Sequence, residues 1–209
     1  VQTRVVQQDD KFTVLGGTTT DGGTLLFHSF EQFDLERGDS AEFQVAPGVD
    51  AVFSRIVNGI PSNIDGSIAL SGGVADVYLI SPAGVLFGTN ASIDLAGDFA
   101  VVAAARVGFG HPDSVRGNIL RFEFNPDSVG TIINSGNLKV DDDRSLSLLG
   151  HSVTNQGTIS GGRVTLAAVG THERIVLDNG FRFLPDAQTS TTLPPWLSAP
   201  GAEHATAID

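Results

Sequence analysis

Short apolar stretches that recur every 21 to 25 residues are the sequence feature that most constrains the fold. The recurring pairs are residues 134–138 with 155–159, 77–80 with 99–102, 84–88 with 106–110, and 67–70 with 92–95. A period in the low twenties with two or three short strands per repeat is typical of one coil of a parallel β-helix. An antiparallel sandwich would instead have irregular hairpin spacing.

The repeating stretches read as strands, because their apolar residues alternate with small or polar ones. Examples are residues 67–70 (SIAL), 77–80 (VYLI) and 163–166 (RVTL), each bounded by Gly, Asn or Asp. The 25 glycines interrupt nearly every candidate helix, and each costs a helix interior about 1 kcal/mol relative to Ala. The sequence therefore predicts an all-β parallel β-helix, a solenoid in which Val, Ile and Leu point inward and stack from coil to coil.

Two asparagines fall at matching positions of successive repeats. Asn134 and Asn155 each begin an Asn-Xaa-Gly sequence. Stacked Asn side chains can hydrogen-bond between coils, whereas Asn-Xaa-Gly is equally typical of a turn whose backbone enters the left-handed region. Both interpretations stay open from the sequence.

The two ends of the chain differ from its middle, which divides a single structural domain into three parts. We expect residues 1–45 to form a β cap over the first coil and residues 46–184 to form the coils. Residues 185–209 are rich in Pro, Thr and Ala, and we expect them to form a tail or linker in which Trp196 is a packing anchor. The predicted cap is rich in Phe, with Phe12, Phe27, Phe30, Phe33 and Phe43.

Composition excludes several classes of site and partner. A net charge of −12 would repel nucleic acid and anionic membranes, and it favours a monomer. The absence of Cys excludes disulfides and thiolate metal sites. No apolar run reaches the roughly 20 residues of a membrane-spanning helix, and no signal peptide is visible. Because the chain has no Met, we expect a processed form or a fragment of a longer protein.

Candidate chemistry is sparse, and we predict no enzyme, no cofactor and no metal site. His28 and Glu31 are residue types that can act as an acid–base pair. The pattern of residues 26–31 (LFHSFE) instead predicts that they lie on the outward face of a capping strand. Residues 141–143 (DDD) offer carboxylate oxygens to a hard cation, but they are more typical of an exposed acidic turn. Asn90 begins a glycosylation sequon, which is a weak signal.

Four segments, in order and with sensible spacing, resemble one known family. They are residues 27–33 (FHSFEQF), 54–66 (SRIVNGIPSNIDG), 77–88 (VYLISPAGVLFG) and 161–169 (GGRVTLAAV). Together they are similar to the N-terminal secretion domain of two-partner-secretion exoproteins, the filamentous-haemagglutinin-like adhesins. The resemblance covers roughly residues 15–170.

The resemblance implies a right-handed parallel β-helix with an N-terminal cap. It also implies a role in secretion. After export to the periplasm, the domain would be recognised by the POTRA modules of an outer-membrane, TpsB-type β-barrel transporter. It would then lead the rest of the exoprotein to the cell surface, where a downstream region could meet host ligands.

The resemblance also points to candidate recognition residues. The family's Asn-Pro-Asn-Gly-Ile stands here as Ser-Pro-Ala-Gly-Val, so this chain lacks both Asn amides at the turn. We expect the Ser81 and Ala83 side chains to point away from the apolar interior, and Gly84 to have φ > 0. The alternative is a plain tight turn with Pro82 at its second position. The candidates are Ser81, Pro82, Ala83, Gly84, Val85, Phe27, His28, Phe30 and Phe33.

Two other functions remain as alternatives. A surface adhesin module would bind glycan or protein itself. A β-helical polysaccharide lyase or hydrolase would need several carboxylates converging on one face beside an Arg or Lys. The carboxylates look scattered in the sequence, and a groove lined by three or more of them would favour that alternative.

Overall fold

The computed structural model describes residues 2–20, 22–109, 120–125, 129–171, 173–177 and 183–185. These residues form 22 β-strands and no helix. Accordingly, nothing in this described part has the length and apolarity of a membrane-spanning helix. The predicted all-β class is confirmed.

Four sheets, named A to D, contain all of these strands. Sheet A holds, in spatial order, β1 (Arg4–Gln8), β2 (Lys11–Leu15), β5 (Ser40–Gln44), β8 (Ser67–Ser71), β11 (Ser92–Asp94), β16 (Asn137–Lys139) and β19 (Thr158–Ser160). Sheet B holds β3 (Thr18–Thr19), β4 (Leu25–Phe30), β6 (Ala51–Ile56), β9 (Asp76–Ile80), β12 (Phe99–Val102), β17 (Ser145–Gly150) and β20 (Arg163–Ala168). Sheet C holds β7 (Ser62–Ile64), β10 (Gly84–Phe87), β15 (Thr131–Asn134) and β18 (Ser152–Asn155). Sheet D holds β13 (Arg106–Phe109), β14 (Leu120–Glu123), β21 (Arg174–Leu177) and β22 (Phe183–Pro185).

The chain winds through sheets B, C and A in turn for about five turns, which makes a parallel β-helix. The strand register confirms three of the four repeats: Phe99 pairs with Val77, Ser92 with Ser67, and Asn155 with Asn134. The inward positions of sheet B stack as one apolar column, formed by Val52, Val77, Phe99 and Leu146.

The fourth expected repeat, residues 84–88 with 106–110, is wrong. β10 pairs in parallel with β15, whereas β13 leaves the coil and pairs antiparallel with β14. Sheet D covers the outer face of sheet B and buries a second apolar cluster that includes Tyr78 and Phe122. Since the outward residues of sheet B are apolar, they require this cover. A period-two pattern reads the same in either sheet, so the sequence does not reveal the excursion.

Antiparallel strands lie at the N-terminal end of the solenoid. β1 and β2 form a hairpin with a two-residue turn at Asp9, whose φ is 51°, and β3 pairs antiparallel with β4. Parallel pairing begins with β2 and β5, followed by β4 and β6, so parallel strands already lie inside the segment expected to be the cap, residues 1–45. An antiparallel strand at the end of a parallel sheet protects it from further pairing.

Asn134 confirms the ladder interpretation, whereas the backbone of residues 134–136 does not enter the left-handed region. Its Nδ2 donates to Asn155 Oδ1 at 2.8 Å, which is a rung of a ladder between coils. Its Oδ1 also accepts the Gly136 backbone N–H at 3.1 Å. Asn134 is fully buried, so these bonds satisfy a polar group inside the solenoid.

Candidate functional site

The five recognition candidates around Pro82 lie in the turn after β9 and in the first two residues of β10. The Gly84 N–H donates to the Ser81 carbonyl at 2.9 Å, which closes a tight turn. Gly84 has φ +102°, as expected. A Cβ at Gly84 would lie 2.1 Å from the Thr131 carbonyl oxygen of the next coil, so close stacking also requires glycine there.

The expectation that Ser81 points away from the interior is wrong. Ser81 is 1% exposed, and its Oγ donates to the Gly84 carbonyl at 2.8 Å. A short hydroxyl that bonds the backbone of its own turn is satisfied without water, which is why it can point inward. Val85 is buried in the interior core. Only Pro82 and Ala83 therefore offer side-chain surface at this turn.

The aromatic segment of β4 divides its side chains between the two faces of sheet B. Phe30 and Phe33 are buried in the interior core and meet edge to face, with ring centroids 5.2 Å apart. Phe27 lies on the outer face and stacks on Phe53 at 5.3 Å.

The expected outward orientation of His28 is also wrong. Its ring is 3% exposed, beside Phe30 and Phe43 with centroids 6.0 and 5.7 Å away. Burial lowers the pKa of His28 to about 4, because the imidazolium would lose its hydration. His28 Nδ1 lies 3.1 Å from Thr3 Oγ1, and Nε2 has no hydrogen-bond partner. Glu31 is exposed, so the two do not form an acid–base pair.

Three of the family-like segments meet at one edge of the solenoid, where sheet B turns into sheet C. We call this edge the B–C corner; it contains residues 31–34, 57–61, 81–83 and 129–130 in successive coils. The Val57 N–H donates to the Phe30 carbonyl at 3.0 Å, and the Asn58 N–H to the Glu31 carbonyl at 3.2 Å. Segments about 25 residues apart in sequence are thus one rung apart in space.

The B–C corner also presents exposed apolar residues that the sequence analysis did not select. These are Val57, Ile60 and Val129. Val57 and Ile60 lie inside the family-like segment 54–66, so a search of the loops within the motifs would have found them. No motif surrounds Val129, and only the pairing of β10 with β15 brings it beside Pro82.

A second cluster gathers the carboxylates that the sequence suggested were scattered. Four of them line a surface cavity of about 270 Å³ beside Arg144, namely Asp76, Asp98, Asp142 and Asp143. The lyase or hydrolase alternative required a groove lined by three or more carboxylates, and this cavity has four.

Two of these four carboxylates nevertheless have a structural role, because they accept backbone hydrogen bonds from the neighbouring coil. Asp76 Oδ1 accepts the Asp98 backbone N–H at 2.8 Å, and Asp98 Oδ1 accepts the Ser145 N–H at 2.8 Å. The carboxylates of Asp76 and Asp98 therefore each tie one coil to the next. Burial raises the pKa of Asp76 to about 6, and the neighbouring Asp98 and Asp50 add to that shift.

The remaining candidates have structural contacts or lie outside the described residues. Asp143, in the exposed turn 141–143, forms an ion pair with Arg144 at 3.6 Å. Across the described ranges, no His, Asp and Glu side chains group as a metal site would require. Asn90 Nδ2 donates to Asp65 Oδ2 at 2.9 Å, so the sequon amide is engaged between coils. Trp196 and all but the first residue of the predicted tail lie outside the described part of the chain.

Comparison with known proteins agrees with this architecture. The family model described as the TPS secretion domain matches residues 1–195. The crystal structure of the HMW1 secretion domain from Haemophilus influenzae superimposes with a TM-score of 0.64 at 22% identity, over 88% of this chain and 46% of that one. The filamentous hemagglutinin secretion domain gives a TM-score of 0.64 at 18% identity, over 90% of this chain and 67% of that one.

These likenesses establish a shared fold. The chain spans less than half of the HMW1 secretion-domain chain that it matches. A comparison with curated protein sequences gives no match.

Proposed function

The chain belongs to the TPS secretion domains of two-partner-secretion exoproteins, and from this premise we propose that it targets its exoprotein to one outer-membrane transporter. In this proposal the domain crosses the periplasm and is recognised by the POTRA modules of a TpsB-type β-barrel. It then leads the following polypeptide to the cell surface. The family is one of secretion domains and not of enzymes.

The observation that carries this proposal is the B–C corner. Three segments of family resemblance, separated along the chain, form adjacent rungs there. Stacking in a solenoid requires each rung to fit its neighbours, but it does not require partly exposed Pro82 and Ala83 beside exposed Glu31 and Asn58. A surface that combines these positions suits recognition by another protein.

The structure changes which residues should be tested for recognition. Ser81, Val85, His28, Phe30 and Phe33 are buried, so substitutions there would act through stability. Gly84 is held by its backbone conformation and by the close approach of Thr131. Pro82 and Ala83 remain the direct recognition candidates of the signature turn, and Phe27 remains partly exposed on the outer face of sheet B.

Secretion and binding together test the proposal. The domain, preceded by a signal peptide, would be produced with and without its cognate transporter, and its amount in the medium would be measured. The purified domain would also be titrated with the purified POTRA modules of that transporter. We expect export only with the transporter and saturable binding to the modules.

A charge placed on the turn tests the site. Ala83→Asp should weaken binding to the POTRA modules by roughly tenfold, the scale of a central interface residue. Its thermal midpoint should change by only a few degrees, because the Ala83 side chain is partly exposed. Asp94, which is exposed in sheet A, supplies a control as Asp94→Ala, for which binding should be unchanged. Export that does not depend on the transporter would overturn the proposed function.

A further inference from the structure

An exposed apolar ridge runs along the B–C corner. It consists of Val57, Ile60, Val129, Pro82 and Ala83, and its most exposed members, Val57, Ile60 and Val129, have 51%, 60% and 58% of their surface exposed. Apolar side chains this exposed are individually common on protein surfaces. Val57 and Ile60 lie in one coil and Val129 lies two coils further on, with Pro82 and Ala83 in the coil between them.

The strand register places these residues directly beside the signature turn. Ser62 pairs with Val85, so Ile60 falls opposite Ala83 when the register is extended by two residues. Thr131 pairs with Gly84, so Val129 falls opposite Pro82 in the same way. Neighbouring coils are about 4.8 Å apart. The three rungs therefore form a strip roughly 10 Å long with Pro82 and Ala83 at its centre.

The ridge is uncharged, although the chain as a whole carries a net charge of −12. Residues 57–61, 81–84 and 129–130 include no Asp, Glu, Lys or Arg. Two exposed acidic residues, Glu31 and Asp34, lie in the adjoining first coil, next to the Val57 end. A complementary partner surface would be apolar along the strip and basic at that end.

We propose that this ridge, formed by Val57, Ile60, Val129, Pro82 and Ala83, is where the domain docks on an apolar strip of the transporter's POTRA modules. The inference rests on the proposed function and adds to it the surface and the chemistry of the partner. The partner strip meets the ridge with uncharged apolar side chains, and a Lys or Arg at one end faces Glu31 and Asp34. Apolar contact at the centre supplies most of the affinity, and the charge pair sets orientation.

Two substitutions and one matched control test the proposal. Ile60→Asp and Val129→Asp place a carboxylate on the ridge, whereas Val74→Asp places one on an apolar residue with the same 58% exposure in the turn between β8 and β9. With the purified POTRA modules as the probe, each ridge variant should bind at least roughly tenfold more weakly. Val74→Asp should bind within about twofold of the wild-type domain.

A thermal melt of each variant separates binding from folding. All three side chains are more than half exposed, so each midpoint should stay within a few degrees of the wild-type value. If an Asp variant fails to fold, Ile60→Ser and Val129→Thr replace it, and a severalfold loss of affinity is then expected.

Salt dependence tests the acidic end of the surface. Raising the salt concentration from about 50 to about 500 mM should weaken binding only severalfold, since the ridge itself is uncharged. Glu31→Gln should reduce that salt dependence while leaving most of the affinity.

The outcomes distinguish this inference from the proposed function. If the wild-type domain neither binds the POTRA modules nor needs the transporter for export, the proposed function fails. If the wild-type domain binds and folded Ile60→Asp and Val129→Asp bind equally well, the ridge is not the docking surface and only this inference fails. Equal losses in Val74→Asp and the ridge variants would likewise overturn it.

Discussion

At the scale of single residues, two ionisable side chains make folding respond to pH in opposite directions. His28 has a pKa lowered to about 4 by burial among aromatic rings. Asp76 has a pKa raised to about 6 by burial at the start of β9. The free energy of unfolding changes with pH wherever the folded and unfolded states bind different numbers of protons.

For His28, the folded state resists protonation between pH 6.5 and about 4, so its contribution to stability is lost as the pH falls through that window. His28→Phe should remove this loss, which amounts to about 3 kcal/mol. Urea unfolding at about pH 4.5 and pH 7 would measure it as the difference between variant and wild type. His151→Gln, a change at an exposed histidine, is the control. An unchanged pH response in His28→Phe would contradict the assignment.

For Asp76, the folded state holds the carboxyl proton more tightly than the unfolded state does. The contribution of Asp76 to the free energy of unfolding is therefore fully present below about pH 3.8 and is lost as the pH rises through 6. Asp76→Asn retains an oxygen to accept the Asp98 N–H and removes the titration. The variant should therefore gain stability relative to wild type between about pH 4 and pH 7, by up to about 3 kcal/mol. The same urea series tests this, and a relative loss of stability across that interval would show that the sign is wrong.

At the scale of single elements, the turns between strands are limited by how closely successive coils approach. Gly84 combines φ +102° with a neighbouring backbone so near that an added Cβ would lie 2.1 Å from the Thr131 oxygen. Backbone in the neighbouring coil cannot move aside without breaking the pairing of β10 with β15. The turn must therefore hold glycine whether or not a partner recognises it.

Gly84→Ala should consequently lower the free energy of unfolding by about 2–4 kcal/mol, through backbone strain and the clash together. Gly22→Ala is the matched control, since a Cβ there has no heavy atom within 4 Å. Thermal melts of both variants measure the difference. A loss of less than about 1 kcal/mol for Gly84→Ala would mean that the turn relaxes easily.

At the scale of the whole molecule, the fold is assembled from pairings between distant segments. Every neighbouring pair from β4 to β20 in sheet B is parallel. β10 pairs with β15, and the two are separated in sequence by strands β13 and β14 of sheet D. Non-local pairing makes folding slow. Slow folding fits the proposed function, in which the domain would cross the periplasm before its coils stack.

Refolding from denaturant should accordingly take seconds or longer, with a strand-dominated far-ultraviolet spectrum and a monomeric product. Stopped-flow dilution followed by circular dichroism measures the rate, and sedimentation gives the mass. Complete recovery within about a millisecond would contradict slow assembly.

Much of the solenoid could be predicted from the sequence, because its physical causes are local and repeat at a fixed interval. Alternation in residues 77–80 and 99–102 predicts both strands and their register. The matching positions of Asn134 and Asn155 indicate the ladder as one of two interpretations, and Gly84 after Pro82-Ala83 predicts a turn with φ > 0. The family resemblance follows from short segments that keep their order.

Only the tertiary structure decided which face of each strand is covered. The alternation of apolar and polar residues distinguishes the two faces of a strand, but it does not determine what packs against either face. His28 and Ser81 are polar by type, yet the coils around them bury both. The second core exists because sheet D folds back over sheet B. Ile60 and Val129 are 69 residues apart in the chain (129 − 60), and only the stacking of coils places them on either side of Pro82 and Ala83.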